Sequence, residues 1–396
     1  DLEHLRSGEP TPDLSAFVVG ETVAATPGDV VFRNHLIELI RYAPTTDAVH
    51  PEPILLIPAW IMKYYILDLS PHNSLVRFLV AQGHTVYCIS WRNPDANDRD
   101  QGMDDYLSDG LMAALDAIGL DRPDTRVHAA GYCLGGTLLS IAAAAMGRDG
   151  DTRLASVSFL AAQADFTEAG ELSLFINDSQ LALLEDMMWK AGVLKAEQMA
   201  GTFQLLKSND LIWSRMLRDY MMGVRSEPND LMAWNADTTR MPYRMHSEYL
   251  RRLYLNNDLA EERLNVDGKP VALSDIRVPV FAVGTERDHV APWKSAYKIQ
   301  ALTDAEVTFA LASGGHNGGI VSEPGHPRRH YLIHTTPEHT GHVGPDEWIE
   351  LAEQRDGSWW TAWAEWLGAQ SLIKVMAPKT NLETLCAAPG TYVFQD

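Results

Sequence analysis

The sequence predicts an α/β protein: a mostly parallel central sheet flanked by helices, interrupted by a helical cap insertion. Three observations predict it. Short apolar, β-branched runs alternate with amphipathic helical runs over residues 53–161 and again from residue 278 to 312, the rhythm of parallel strands joined by crossover helices. One of those strands ends in Gly131-Tyr132-Cys133-Leu134-Gly135, a few residues before a small-residue helical run from Leu138 to Met146, so a tight strand-to-helix turn is expected there. Between the two alternating stretches, residues 165–250 carry helical patterns and no convincing strand.

The turn organises the rest. Its pentapeptide fits G-x-S-x-G with cysteine in the serine position, the nucleophile elbow of the α/β-hydrolase fold. Glycines two before and two after the nucleophile have a steric reason, because the strained turn presses neighbouring backbone against them. The helix N-terminus aimed at Cys133 favours thiolate over thiol. The plainer reading of Cys133 is a buried core thiol.

Taken in order, residues 1–50 are expected as an N-terminal arm, the remnant of a longer N-terminal region, with Asp1 to Pro12 extended. Phe32 to Tyr42 fits either a strand pair or a short helix. Residues 51–164 form the first part of the hydrolase core. Pro53 to Pro58 reads as a short buried strand, and the following loop, Ala59 to Tyr65, stands where this architecture places its second oxyanion-hole amide. The backbone N–H of Trp60 or Ile61 is therefore a positional candidate beside that of Leu134. Ser70 as N-cap and Pro71 in the first turn open a helix that runs to Gln82 and stops at Gly83. A strand over His84–Trp91 follows, with Cys88 as inert core, then a helix over Asp104–Ile118. Arg126 begins the elbow strand, and Leu154–Ala161 makes another.

The cap insertion, residues 165–250, holds nine of the 14 methionines together with Trp189, Trp213, Trp234, Tyr220 and Tyr243. These side chains suit a lid over a greasy substrate or, more plainly, the cap's own core. Residues 251–396 resume the hydrolase core. A strand from Val278 ends in Gly284-Thr-Glu-Arg-Asp288, a turn on which hydrolase triads carry their acid, so Asp288 is the candidate; helix capping is its plainer role. The strand Ala305–Ala312 runs into Ser313-Gly-Gly-His-Asn-Gly-Gly-Ile320, making His316 the candidate base and His289 the rival. Nucleophile, acid and histidine then follow the α/β-hydrolase order. His326, His330, His334, His339 and His342 match no zinc spacing, so no metal is expected. In the tail, Trp359, Trp363, Trp366 and Leu367 share a helical face expected to dock on the domain, with a membrane or granule surface as the sharper alternative. Ala388 to Val393 is expected as a last extended segment.

The 396 residues suffice for one large α/β domain or two smaller ones, and the net charge of −21 argues against a nucleic-acid partner. An anionic substrate would need a local basic patch against that field. Three cysteines give no disulfide framework, which fits a reducing compartment. No apolar stretch reaches about 18 residues, so no transmembrane segment is expected. A chain beginning at Asp1 is expected to be a fragment or a processed form.

Five motifs, in order, carry a resemblance: Tyr64-Tyr-Ile-Leu-Asp-Leu69, Ser90-Trp-Arg-Asn-Pro94, Gly131-Tyr-Cys-Leu-Gly-Gly136, Asp288-His-Val-Ala-Pro-Trp293 and Gly315-His-Asn317. Together they resemble the catalytic domain of class I polyhydroxyalkanoate (PHA) synthases, from about residue 50 to the C-terminus. The resemblance implies polymerisation of (R)-3-hydroxyacyl-CoA, short-chain such as 3-hydroxybutyryl-CoA, with CoA released. It implies Cys133 as the acylated nucleophile, His316 as its activator and Asp288 as the third triad member. It also implies no cofactor beyond the CoA substrate, a homodimer, and a cytoplasmic location at the surface of polyester granules. Arg92, Tyr132, Lys294 and Arg328 are the candidates for binding CoA and substrate. The sequence departs from the family pattern at Leu134, at Gly314-Gly315 and at bulky Trp60, and little of the family's N-terminal domain is present.

A thiolate suits such a substrate, because exchange between two thioesters is nearly balanced in energy. A growing chain's hydroxyl must then attack the acyl-enzyme, and an apolar cap would keep water from doing so first. The rivals are a cysteine-dependent α/β-hydrolase acting on small esters or lactones, and a non-catalytic granule-associated homologue.

Overall fold

In a computed structural model, residues 13–170, 173, 176–194, 227–339 and 341–396 are described. The apolar runs become β1 (Asp29–Arg33), β2 (Ile37–Tyr42), β3 (Ile54–Ile57), β4 (Val86–Trp91), β5 (Val127–Tyr132), β6 (Leu154–Leu160), β7 (Val280–Thr285), β8 (Val307–Ala312), β9 (His330–Thr336), β10 (Glu353–Asp356) and β11 (Cys386–Ala387). They form one 11-stranded sheet in the order β10-β9-β8-β7-β6-β5-β3-β4-β2-β1-β11. The six central strands, β8 through β4, run parallel; the flanking strands pair antiparallel. All six are buried at every position, as a parallel sheet covered on both faces requires.

The covering helices include α1 (Leu75–Ala81), α2 (Ala113–Asp121), α3 (Leu134–Asp149), α4 (Asp178–Ala191), α5 (Asp230–Ala236), α6 (Tyr243–Glu248), α7 (Trp293–Tyr297), α8 (Pro345–Leu351) and α9 (Trp359–Gln370). Buried from Leu134 to Met146, α3 uses its glycines and alanines to press its backbone against the sheet. On α9, Trp359, Trp360, Trp363 and Leu367 are buried, so the aromatic stripe docks on the domain as expected. Trp366 is half-buried and packs its ring on Phe281 at 5.3 Å.

Several expectations need correction. Residues 29–42 are not part of an arm: they are a strand pair inside the main sheet, with β2 laid along β4 from Ile37 opposite Trp91 to Tyr42 opposite Val86. The stretch Asp1–Pro12 lies outside the described residues. Helix α1 starts at Leu75, because Ser74 is the side chain that caps it, accepting from the Arg77 N–H at 2.9 Å. Ser70 instead spends its hydroxyl on Asp230 of the cap. The cap is not purely helical, since Val193–Leu194 pairs with Met241–Pro242. Met188, Trp234, Met241 and Met245 are buried in the cap, as its own core would have them, whereas Met187 and Trp189 are exposed; Trp213 and Tyr220 lie outside the described residues. At the C-terminus the extended segment is β11, followed by a tight helical turn over Tyr392–Phe394.

Close backbone approach at α3 is a direct test of this architecture. A Cβ on Gly135 would lie 2.0 Å from the Ile57 carbonyl oxygen, whereas one on Gly119 of α2 would meet nothing within 4 Å. Gly135→Ala is expected to cost about 3 kcal/mol or to abolish folding, and Gly119→Ala to stabilise by up to about 1 kcal/mol. Urea unfolding of both variants checks this.

Buried histidines make the fold acid-sensitive. His84 stacks on His50 with ring centroids 4.4 Å apart, and both of its ring nitrogens are buried without a partner. Burial first, then the neighbouring His50 and His128, push His84 down to about 3. Burial likewise holds His128 and His246 at about 4. Above the unfolded value of about 6.5 these groups are neutral in both states, and stability is full. Below it the unfolded chain takes up protons that the fold refuses, so stability falls with pH. Unfolding free energy is expected to drop by about 3 kcal/mol or more between pH 6.5 and 5.0; equal urea midpoints at the two pH values would refute this.

Candidate active site

The site forms where β5, β7 and β8 end. At the tip of β5, Cys133 adopts φ +52° and ψ −122°, a strained conformation for a residue with a side chain. The turn closes because Gly131 and Gly136 touch backbone to backbone: a Cβ on Gly131 would sit 2.4 Å from the Gly136 Cα. Helix α3 starts at Leu134, immediately after the nucleophile, so the Leu134 N–H has no acceptor within the helix and is free for an oxyanion. Cys133 itself is half-buried and is a free thiol.

The acid and base meet as the chain order suggests. His316 Nδ1 and Asp288 Oδ2 lie 2.7 Å apart, with both side chains buried. The same carboxylate accepts from Thr285 Oγ1 at 3.1 Å and from the N–H groups of Val290 and Ala291 at 2.9 and 2.8 Å. Burial works against its charge, but His316 and these donors outweigh it and hold Asp288 below the usual carboxylate range. The plainer role of Asp288 is thus also real: it caps its own turn while holding the histidine. Burial likewise opposes a charge on His316, yet the Asp288 carboxylate, which it also hydrogen-bonds, and neighbouring Cys133 raise it to about 10. A histidine so held can accept a proton from a neighbouring thiol.

Side chains that sequence reasoning passed over hold His316 in place. The Arg329 guanidinium donates to the Ser313 carbonyl at 3.1 Å and to that of Gly318, spanning the loop's base. Two indoles of α9 hold its far end, Trp359 Nε1 on the Gly319 carbonyl and Trp360 Nε1 on the Ile320 carbonyl, each at 2.9 Å. Tyr132 was a candidate substrate contact, but it is a brace. Its hydroxyl donates to Asn317 Oδ1 at 2.7 Å and its ring packs against His316 at 5.6 Å. Tyr249 and Tyr254, with hydroxyls 3.2 Å apart on a π-helical turn over Tyr249–Leu255, are both buried in the neighbourhood of Cys133, and burial pushes both phenols up. Only the unusual turn could have signalled them, and π-helical turns are invisible in sequence.

The other candidates divide. Arg92 is committed elsewhere, 2.9 Å from Asp95 and 2.6 Å from Asp98, because those carboxylates follow it on one tight turn; it is not an anion site. Lys294 lines an open cleft of about 440 Å³ together with Asp288, Trp293, Ser173 and Gly170, a cleft that neither Cys133 nor His316 lines. There it pairs with exposed Asp346 at 2.8 Å, a contact a phosphate can displace. Arg328 is exposed on the loop leading to β9 and makes no ion pair among the described residues. His289 sits beside the acid with a buried, unpartnered Nε2, while His316 is the ring that Asp288 holds. Trp60 packs its ring on Tyr106 at 5.3 Å, in the loop that follows β3. Among the described residues no cluster of His, Cys, Asp and Glu is arranged to hold a metal.

Asp288→Asn keeps the shape of the turn but presents a weaker partner to His316. Expected are a loss of about 10³–10⁴ in acyl transfer and at least roughly tenfold slower alkylation of Cys133 by iodoacetamide at pH 7. Alkylation at the unmutated rate would separate Asp288 from the thiol's activation.

Two sequence families match the chain. One, described as the N-terminus of poly-beta-hydroxybutyrate polymerase (PhaC), covers residues 1–79; the other, the alpha/beta hydrolase fold, covers residues 52–323. The poly(3-hydroxyalkanoate) polymerase of Methylorubrum extorquens is 44% identical over 384 residues, 96% of this chain and 63% of that protein. The poly(3-hydroxyalkanoate) polymerase subunit PhaC of Cupriavidus necator is 38% identical over 96% of this chain and 66% of its own length. Poly(3-hydroxyalkanoate) polymerase 2 of Ectopseudomonas oleovorans is 34% identical over 99% of this chain and 71% of its own length. The chain therefore spans a little under two thirds of the first two relatives. With the elbow cysteine, the buried Asp–His pair and the mixed sheet in place, the chain belongs to the poly(3-hydroxyalkanoate) polymerase family, built on the α/β-hydrolase fold.

Proposed function

We propose that this chain is an acyltransferase that polymerises (R)-3-hydroxyacyl-CoA, short-chain such as (R)-3-hydroxybutyryl-CoA, into polyester and releases CoA. The observation that supports this most is the 2.7 Å His316–Asp288 pair beside an elbow cysteine, in a chain of this family. His316 takes the proton of Cys133, and the thiolate attacks the thioester carbonyl. The tetrahedral oxyanion rests on the Leu134 N–H and an amide of the loop after β3. It collapses by expelling the CoA thiolate, which takes a proton from His316, leaving Cys133 acylated. The hydroxyl of a second acyl unit or of the growing chain then attacks that thioester; its proton passes to His316, and Cys133 leaves as thiolate.

Asp288 keeps the imidazole oriented and stabilises its charged form throughout. Lys294, which lines the open cleft, is the cation best placed for the phosphates of CoA, given that Arg92 is neutralised. No resident cofactor takes part. The setting that fits is a homodimer at a polyester granule in the cytoplasm; no helix among the described residues is long and apolar enough to cross a membrane.

Incubation with (R)-3-hydroxybutyryl-CoA is expected to release CoA together with insoluble polymer, and Cys133→Ala to reduce release at least about 10³-fold. Release with soluble 3-hydroxybutyrate instead would make the protein a hydrolase. Equal release by Cys133→Ala would remove the nucleophile from the mechanism.

A further inference from the structure

The cap grips the loop on which the second oxyanion donor must lie. Thr239 Oγ1 donates to the Trp60 carbonyl at 3.1 Å, and Trp234 Nε1 to the Lys63 carbonyl at 2.7 Å. Met62 bridges to Thr238, and Asp230 accepts from Ser70 Oγ and Asn73 Nδ2 at 2.7 and 2.9 Å. Thr239 and Trp234 are 3% and 4% exposed, so water does not substitute for either bond. From the opposite side Gly135 of the elbow abuts the carbonyls of Ile57 and Pro58, where the same loop begins.

Peptide geometry turns this grip into chemistry. The Trp60 carbonyl and the Ile61 N–H belong to one planar trans unit and point in opposite directions. A hydroxyl that fixes the carbonyl on the cap side therefore aims the N–H away from the cap contact. Neither the Ile61 N–H nor the Trp60 N–H makes a hydrogen bond to any described residue; what distinguishes them is that the Thr239 bond fixes the peptide that carries the Ile61 N–H. Resting on the acyl-transfer reading above, we propose that Thr239 is a positioning residue that sets the Trp60–Ile61 peptide so that the Ile61 N–H, rather than that of Trp60, is the second oxyanion donor. Cap and oxyanion hole are then one mechanical unit: a displaced cap releases the peptide, and acylation slows although the thiol keeps its base.

Thr239→Val keeps the volume and removes the donor, whereas Thr239→Ser keeps the donor. The measurements are kcat and KM for CoA release from (R)-3-hydroxybutyryl-CoA, the rate of Cys133 alkylation by iodoacetamide (which forms no oxyanion) and the thermal midpoint. Thr239→Val is expected to lower kcat roughly tenfold to hundredfold, with KM and alkylation within about twofold, and Thr239→Ser to recover to within about threefold of the unmutated protein. An unchanged kcat in Thr239→Val overturns the proposal. So does a loss shared equally by alkylation, or one that serine does not restore, since either marks a purely structural role. The nitrophenolate burst from 4-nitrophenyl acetate is followed in parallel and reports acylation of Cys133 whatever the natural donor. If the unmutated protein releases no CoA but gives a burst, the polymerase reading fails and the burst decides on Thr239: slower in Thr239→Val upholds it, unchanged overturns it. No burst from the unmutated protein means that no oxyanion hole forms, and the proposal falls.

Discussion

The catalytic end of the sheet depends on one contact, backbone against backbone, between the start of α3 and the end of β3. With no Cβ at Gly135, the helix comes down onto the carbonyls of Ile57 and Pro58. That approach sets the Leu134 end of the helix against the start of the loop after β3. It also leaves the nucleophile at φ +52°, a conformation that persists only because the structure on both sides determines it. Any larger residue at position 135 would push the start of α3 away from the end of β3.

A second layer keeps the histidine where the elbow needs it. The His316 loop is rich in glycine and is closed by its own turn bonds, from the N–H groups of Gly319, Ile320 and Val321 to the carbonyls of Gly315 and Asn317, and side chains from outside add to them. Arg329 spans its base, Asn317 receives the Tyr132 hydroxyl, and the indoles of Trp359 and Trp360 take the carbonyls of Gly319 and Ile320. Nearly every one of these bonds ends on main chain. That explains how a flexible sequence can supply a rigid base: the freedom needed to turn the loop is removed afterwards by large side chains from distant segments.

The same fact explains what could be read from the sequence. The elbow at Cys133 and the pairing of Asp288 with His316 were legible because each of the three residues follows a strand, in the order that the fold demands, and sterics force glycine around the first. The central parallel strands were legible for a similar reason, since burial on both faces leaves continuous apolar runs. Main-chain acceptors leave no mark on residue identity, so the roles of Arg329, Trp359 and Trp360 were not. Arg92 was misread although its partners stood three and six residues on; a carboxylate at that spacing on a turn competes with any ligand. The membership of residues 29–42 in the sheet was hidden because their partner, β4, lies some fifty residues away, and short antiparallel strands carry weak local signals.

The sheet's far edge has a consequence for synthesis. β11 pairs with β1 through Ala387 opposite Asp29 and Cys386 opposite Val30. At ribosomal speeds of about 5–20 residues per second, the first strand emerges roughly twenty to seventy seconds before the segment that covers it. Through that interval β1 is an open edge, with main-chain donors and acceptors available to any other nascent strand. An edge covered this late stays open to pairing with another strand for most of the time that residues 29–387 take to be made.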